Sequence, residues 1–223
     1  MPGRVGALGG FGNRRPRPWL LSDARRLPDP TALLGRLPRG GVVLLRDAAP
    51  EVARRVARLS QARGLVPLVS GDGRLALALG AGLHVPDRRP CAGLLPVLLA
   101  RRAGRPLPLS CAVHGRCGVA RAHRLGADAA LVSPAFPTES HLGAPALGPI
   151  RWAGLARSLR CPAVALGGVT PPRARRIPGM WLAGIAGIGL WFPSHSVSGK
   201  SQEGAEPSCP VAHADSIVRL GPG

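Results

Sequence analysis

The chain of 223 residues has no tyrosine, one lysine (Lys200), three phenylalanines and four tryptophans. So few rings leave little to stack on nucleic-acid bases. Acidic side chains are scarce too: 11 Asp and Glu stand against 30 Lys and Arg, a formal charge of +19. Such an excess raises the question of a polyanion partner. The arginines are spread as pairs, Arg25–Arg26, Arg54–Arg55, Arg101–Arg102 and Arg175–Arg176, along helix-like segments, and no helix-turn-helix, finger, RRM or KH pattern accompanies them. They read as solvated helix faces, with no specific nucleic-acid partner. The five cysteines (91, 111, 117, 161, 209) form no CxxC pair and make an odd count, which argues for free thiols in a reducing compartment rather than a disulfide framework or a zinc site. Long apolar runs are missing as well. The longest, Met180–Phe192, is too short to span a bilayer, and the Gly/Arg/Pro-rich segment 1–18 lacks a secretory apolar core. The expectation is a soluble, cytoplasmic protein without a membrane partner, opening on a disordered basic leader over residues 1–18.

What the sequence does have is regular punctuation. Hydrophobic residues make up 45%, and 31 Gly and 25 Pro divide them into short runs. Runs of four to eight apolar residues between turn signals read as strands buried on both faces. They fall at Trp19–Asp23, Gly41–Arg46, Leu65–Ser70, Gly82–Val85, within Pro106–Val113, after Ala129, after Ala163, and at Trp181–Leu190. Helical segments lie between them: weak at Pro30–Leu37, amphipathic at Pro50–Arg63, short at Arg74–Leu79, then Cys91–Ala103, Val119–Leu125, Pro149–Leu159 and Pro171–Arg176. Eight strands, each except the last followed by a helix, favour an α/β protein of the (β/α)8 TIM-barrel class over residues 19–192. A doubly wound open sheet is the alternative, but no GxGxxG follows an early strand. The last barrel helix is weak or missing. Residues 193–223 turn polar and Pro/Ser/Gly-rich and read as a disordered or weakly ordered tail, with two helical turns at most in Val211–Leu220. One flank of the barrel is then thinly covered, which leaves a homo-oligomer open.

Two stretches concentrate the chemistry. Ala129–Gly148 and Ala163–Thr170 each run from a buried strand into small, proline and hydroxyl residues. Such loops offer the free N–H groups and hydroxyls that a phosphate needs. Thr138, Ser140, Gly167 and Gly168 are the candidates; the alternatives are hydroxyls satisfying their own backbone and glycines serving a turn. His114 ends a strand, where barrel chemistry sits, and either caps a turn or exchanges protons near neutral pH. Asp72, between two glycines, is a helix cap or a metal ligand, with the cap favoured. Arg46 ends a buried strand and reads as an inward-facing anion contact, whereas His84 reads as a packed or capping histidine. Cys111 and Cys117 flank His114, but Cys111 belongs along the strand rather than at its mouth.

These residues carry a resemblance. SPAFPTES at 133–140 resembles the GPxFPTxTK motif of the thiamine phosphate synthase and TenI family, AVALGGVTP its PVVAIGGI, and GADAALVSP its GADYVGFGP. WLLSD at 19–23 is similar to LYLVTD, and AGIAGIGLW at 183–191 to the family's final strand. The resemblance implies a TIM barrel of thiamin biosynthesis that binds a phosphorylated thiazole. In the synthase a pyrimidine pyrophosphate is joined to that thiazole, and Mg2+ assists the loss of pyrophosphate. The matching is uneven. At the pyrophosphate end only Arg46 survives from QLRxK, and Asp72 alone remains of the ND pair; Pro86–Arg89 replaces GQxD, with Asp87 two residues out of register. Ala112 replaces the Ser of SVH, and His141 stands for the Lys of TxTK. At the thiazole-phosphate end Thr138, Ser140, Gly167 and Gly168 remain, and Gly189 stands in place of the final-strand Ser. The TenI branch isomerises a thiazole carboxylate phosphate by proton transfer at a His after strand five, the position of His114. The resemblance thus implies a synthase-like transferase using Mg2+ through Asp72, or a tautomerase without a metal. A non-catalytic phosphate-ligand binding protein is the alternative outside enzymes.

Overall fold

Among the described residues eight strands run parallel and close in sequence order, the first pairing with both the second and the eighth. The structure is a computed structural model and describes residues 16–87, 89–138 and 145–189. The strands are β1 Arg17–Leu21, β2 Val42–Leu45, β3 Val66–Ser70, β4 Gly82–Val85, β5 Leu109–Val113, β6 Ala129–Val132, β7 Ala163–Leu166 and β8 Leu182–Gly187. The helices are α1 Pro50–Ala62, α2 Gly73–Leu79, α3 Leu94–Arg102, α4 Arg116–Leu125, α5 Gly148–Arg157 and α6 Pro171–Ala174. A 3-10 helix, Thr31–Arg36, connects β1 to β2. This is the (β/α)8 barrel that the alternation of short apolar runs implies.

Register carries one strand face round the barrel: Leu21 beside Leu44, Leu44 beside Leu68, Ser70 beside His84, His84 beside Ser110, and Ala112 beside Leu131. The opposite face, with Val69, Leu83, Val85, Cys111 and Val113, packs on helix residues Ala76, Val97, Val119, Ala122 and Trp152. The first face therefore fills the barrel interior. Trp19 lies fully buried there, and small neighbours admit its indole: a Cβ added to Gly184 would sit 3.1 Å from Trp19 Nε1. Both faces of β2 are buried, which is why VVLL reads as an unbroken apolar run.

Some boundaries differ from those read in the sequence. β1 begins at Arg17 and so takes in the last two residues of the expected leader. Cys91–Gly93 is not helical. Ala92 instead bonds across to the start of α2, accepting from Gly73 N–H at 2.7 Å and donating to Gly71 C=O at 2.9 Å, and Gly93 turns left-handed (φ 66°) ahead of Leu94. The Thr31–Arg36 segment is a single 3-10 piece bounded by Pro30 and holding Gly35, too short to nucleate an α-helix. The remainder of the leader and the polar tail, where the last helix is expected to be weak or missing, lie outside the described residues. Among the described residues no helix is long and apolar enough to cross a membrane.

Candidate functional site at the carboxyl end of the barrel

Parallel strands deliver all their following loops to one end. Arg46 follows β2, Asp72 β3, Asp87 β4, His114 β5, Thr138 β6, Gly167 and Gly168 β7, and Gly189 β8. The barrel thus gathers at one mouth the candidate residues that the sequence scatters over more than a hundred positions. Ser140 and His141 lie outside the described residues.

His114 is held by specific partners. Its Nδ1 lies 2.7 Å from the Ser133 carbonyl. A carbonyl oxygen only accepts, so Nδ1 carries a proton, and whenever the ring is neutral its lone pair is at Nε2. That nitrogen lies 3.9 Å from Asp87 Oδ2, and the side chain remains 42% exposed. Asp87 is itself fixed: Arg121 of α4 donates from Nη1 to Asp87 Oδ1 at 2.7 Å and from Nη2 to Ala112 C=O at 2.6 Å. This arrangement suits a group that takes up and returns a proton.

Beneath the mouth, His84 lies buried in the barrel interior with Nδ1 2.8 Å from Ser110 Oγ. Burial, together with the positive charges of Arg46 and Arg121 and of His114 when protonated, pushes its pKa down to about 3, so this ring stays neutral. It is the packed histidine expected of the sequence. Arg46 is half-buried; its backbone N–H donates to Ser22 Oγ at 2.8 Å, and its side chain has no ion pair among the described residues.

The loops after β6 and β7 fit closely together. Ala135 N–H donates to Leu166 C=O at 2.8 Å and Phe136 N–H to Gly167 C=O at 3.0 Å. Gly167 and Gly168 have φ of +89° and +60°, and a Cβ on Gly168 would meet the carbonyl oxygens of Pro137 and Phe136 at 2.2 and 2.7 Å. The two glycines are therefore required by loop packing, whatever else they contact. Arg173 ties the pair, donating from Nη1 to Gly168 C=O at 3.0 Å and to Pro137 C=O at 3.3 Å. Thr138 lies partly exposed just beyond. Gly189 is exposed, and among the described residues nothing lies within 4 Å of where its Cβ would stand.

The carboxylates at the opposite side of the mouth are engaged. Asp72 caps α2, its Oδ1 accepting from Leu75 N–H at 2.9 Å. Asp47 accepts from Arg89 Nη1 at 2.8 and 2.9 Å. Both aspartates line a cavity of about 280 Å3 that also holds the Arg89 cation. Among the described residues no three His, Cys, Asp or Glu side chains group as metal ligands. Asp72 commits one carboxylate oxygen to its cap and Asp47 meets an exposed Arg89, so a Mg2+ ion held here would rest on the second Asp72 oxygen and on substrate phosphates, in competition with Arg89 for Asp47.

Cys111 is buried on the helix-facing side of β5, and burial pushes its thiol up to about 11, so it forms no dyad with His114. Sequence reasoning passed over Arg121 and the Ser133 carbonyl, and the place of Asp87 beside His114. The available signal was an arginine three residues after Gly118, on the barrel-facing arc of α4 that buries Gly118, Val119 and Ala122.

The fold and mouth define a TIM barrel whose candidate site residues come from the loops that follow its strands. Within that class, the chain belongs to the thiamine monophosphate synthase family, whose model matches residues 43–190, and so to the proteins of thiamin biosynthesis. It is 33% identical over 171 residues to the thiamine-phosphate synthase of Herpetosiphon aurantiacus, covering 70% of this chain and 78% of that protein. To the thiamine-phosphate synthase of Laribacter hongkongensis it is 32% identical over 160 residues, covering 67% and 71%. A Geobacter sulfurreducens relative is 35% identical over 143 residues, 63% of each chain. Among solved structures, the thiamine phosphate pyrophosphorylase of Pyrococcus furiosus superposes with a TM-score of 0.63 at 21% identity, over 78% of this chain and 85% of that one. The 2-keto-3-deoxy-6-phosphogluconate aldolase of Zymomonas mobilis shares the barrel, with a TM-score of 0.52 at 20% identity over 93% and 90%.

Proposed function

We propose that the protein binds a phosphorylated thiazole at the barrel mouth and isomerises it by proton transfer at His114, as in the TenI branch of its family. The phosphate is assigned to the side of Thr138, Ser140, Gly167, Gly168 and Gly189, with Arg46 as the cation across the mouth. The observation that carries the reading is the state of His114: Nδ1 bonded to the Ser133 carbonyl, with Nε2 free to work as a base. Coupling to a pyrimidine pyrophosphate is the second reading, favoured by the names of the relatives. Mg2+ would assist that reaction by neutralising the departing pyrophosphate. Against it weighs the competition of the helix cap for Asp72 and of Arg89 for Asp47.

Separate assays decide between them. The protein is incubated with a thiazole carboxylate phosphate, and separately with thiazole phosphate, the pyrimidine pyrophosphate and Mg2+. Isomerisation should be unaffected by EDTA, and His114→Ala should lower it by roughly 10²–10⁴-fold, the size of a lost general acid–base. Asp72→Ala should leave it unchanged. Thiamin phosphate formation abolished by EDTA and by Asp72→Ala would instead establish the synthase. Neither product, with thiazole phosphate still bound, would mark a non-catalytic binding protein.

A further inference from the structure

We infer that Asp87, clamped by Arg121, is a positioning residue for His114, which it aligns and whose protonated form it stabilises. The inference rests on the proton-transfer reading above and deepens it. Asp87 comes from the loop after β4, Arg121 from α4 and the Ser133 carbonyl from the end of β6. Three elements thus converge on one ring. The carbonyl fixes which nitrogen holds the resting proton, since it only accepts and lies 2.7 Å from Nδ1. The carboxylate lies 3.9 Å from the other nitrogen, close enough for Coulomb attraction yet too far to occupy the lone pair with a hydrogen bond. Arg121 keeps it there: one Nη1 bonds both the Asp87 carboxylate (2.7 Å) and the Asp87 backbone carbonyl (3.2 Å). Among the described residues the Arg121 Nε is buried without a hydrogen-bond partner, while the side chain as a whole stays 21% exposed.

The proton balance is closed. Nε2 takes a proton from one carbon of the bound thiazole, and the C–H electron pair passes into the conjugated ring. The imidazolium so formed lies against the Asp87 carboxylate. It then returns the proton from Nε2 to a second carbon of the ligand, restoring the neutral ring with no oxidant or reductant consumed. Asp87 favours the intermediate imidazolium, whereas the surrounding cations oppose it. Those cations are Arg121 on α4, Arg116 on α4 and Arg151 on α5, the last two lining the groove onto which His114 opens, with His123 beside them; Arg46 lies across the mouth. His84 stays neutral beneath. Asp87 is the carboxylate among the described residues that faces the ring within ion-pair distance.

The test compares wild type with Asp87→Asn and Asp87→Glu. The imidazole titration of His114 is followed by NMR, and the pH profile of isomerisation is followed in parallel. In Asp87→Asn the His114 midpoint should move to lower pH, because the neutral amide no longer favours the charged ring. The acid limb of the rate profile should move with it, and kcat should fall roughly tenfold with KM little changed, since the group acts on proton transfer rather than binding. Asp87→Glu, which keeps the charge, should restore the midpoint and most of the rate. In wild type the Asp87 carboxyl carbon should show an inflection at the His114 midpoint, a reading that needs no variant to fold. An unmoved midpoint in Asp87→Asn, or no such inflection in wild type, overturns the inference. If wild type proves inactive as an isomerase while the midpoint still moves, the functional reading fails and the His114–Asp87 pairing stands.

Discussion

Gly168 shows how a single residue can serve two explanations that an experiment must separate. As a phosphate contact its lack of a side chain would let a ligand approach its amide; in the structure the space beside its Cα is already taken by the Phe136 and Pro137 carbonyls. Gly168→Val should therefore displace the loop after β6. Added to the strain of a β-branched residue at φ +60°, it should cost more than ~1 kcal/mol in urea unfolding. Ligand binding should then fall for phosphorylated and unphosphorylated thiazole alike. Gly189 is the cleaner probe of the phosphate side. Among the described residues a Cβ there meets nothing within 4 Å, and its φ is not in the left-handed region, so Gly189→Ala should leave stability within about 0.5 kcal/mol. Calorimetric titration should show weakened binding of thiazole phosphate and unaltered binding of the unphosphorylated thiazole. Unchanged affinity for both would remove Gly189 from the phosphate site.

At the scale of elements, the end of the barrel where the strands begin is stapled by an arginine. Arg101, near the end of α3 and 8% exposed, donates from Nη1 to Asp128 Oδ2 at 2.6 Å and from Nη2 to Gly126 C=O at 3.0 Å, and it also bonds the Leu107 carbonyl. Asp128 in turn accepts from Leu109 N–H at 2.8 Å. The entries into β5 and β6 thus share one ion pair. Removing one partner of a buried pair strands the other, so Arg101→Ala should destabilise by about 3 kcal/mol in equilibrium unfolding, with KM for ligands at the opposite end unchanged. In the sequence Arg101–Arg102 looks like another solvated pair; only burial of the first separates them. This marks the limit of what the sequence disclosed. Strand positions were legible because strands buried on both faces are continuous apolar runs, as in VVLL of β2 and AALV of β6. The cap role of Asp72 was legible because its partner is three residues away. The His114–Asp87–Arg121 arrangement was not, because the register of β4 against β5 and the rotation of α4 determine it, and neither is a local property.

For the whole molecule, the buried His84 links proton uptake to unfolding. Its pKa is pushed down to about 3 in the native barrel against an ordinary 6.5, mainly by burial and then by the positive charge near it. Below pH 6.5 the unfolded chain binds a proton there and the native one does not. Stability is therefore fully present above about 6.5 and is lost as pH falls toward 3. One such group gives a slope of ~1.4 kcal/mol per pH unit within that window. Asp23 and Asp29, held below their ordinary 3.8, act in the same direction but only under about pH 4, so between 4 and 6.5 the difference in slope between wild type and a His84 variant reports the buried histidine. His84→Gln removes the titration while keeping a polar side chain beside Ser110. Its unfolding free energy should start lower at pH 7, because a packed ring is gone, yet fall less steeply from pH 6.5 to 4 than that of wild type. Urea unfolding at half-unit steps measures both slopes. Equal slopes would mean that the interior histidine takes up a proton without unfolding the barrel, and the neutral ring assigned to the floor of the mouth would have to be abandoned.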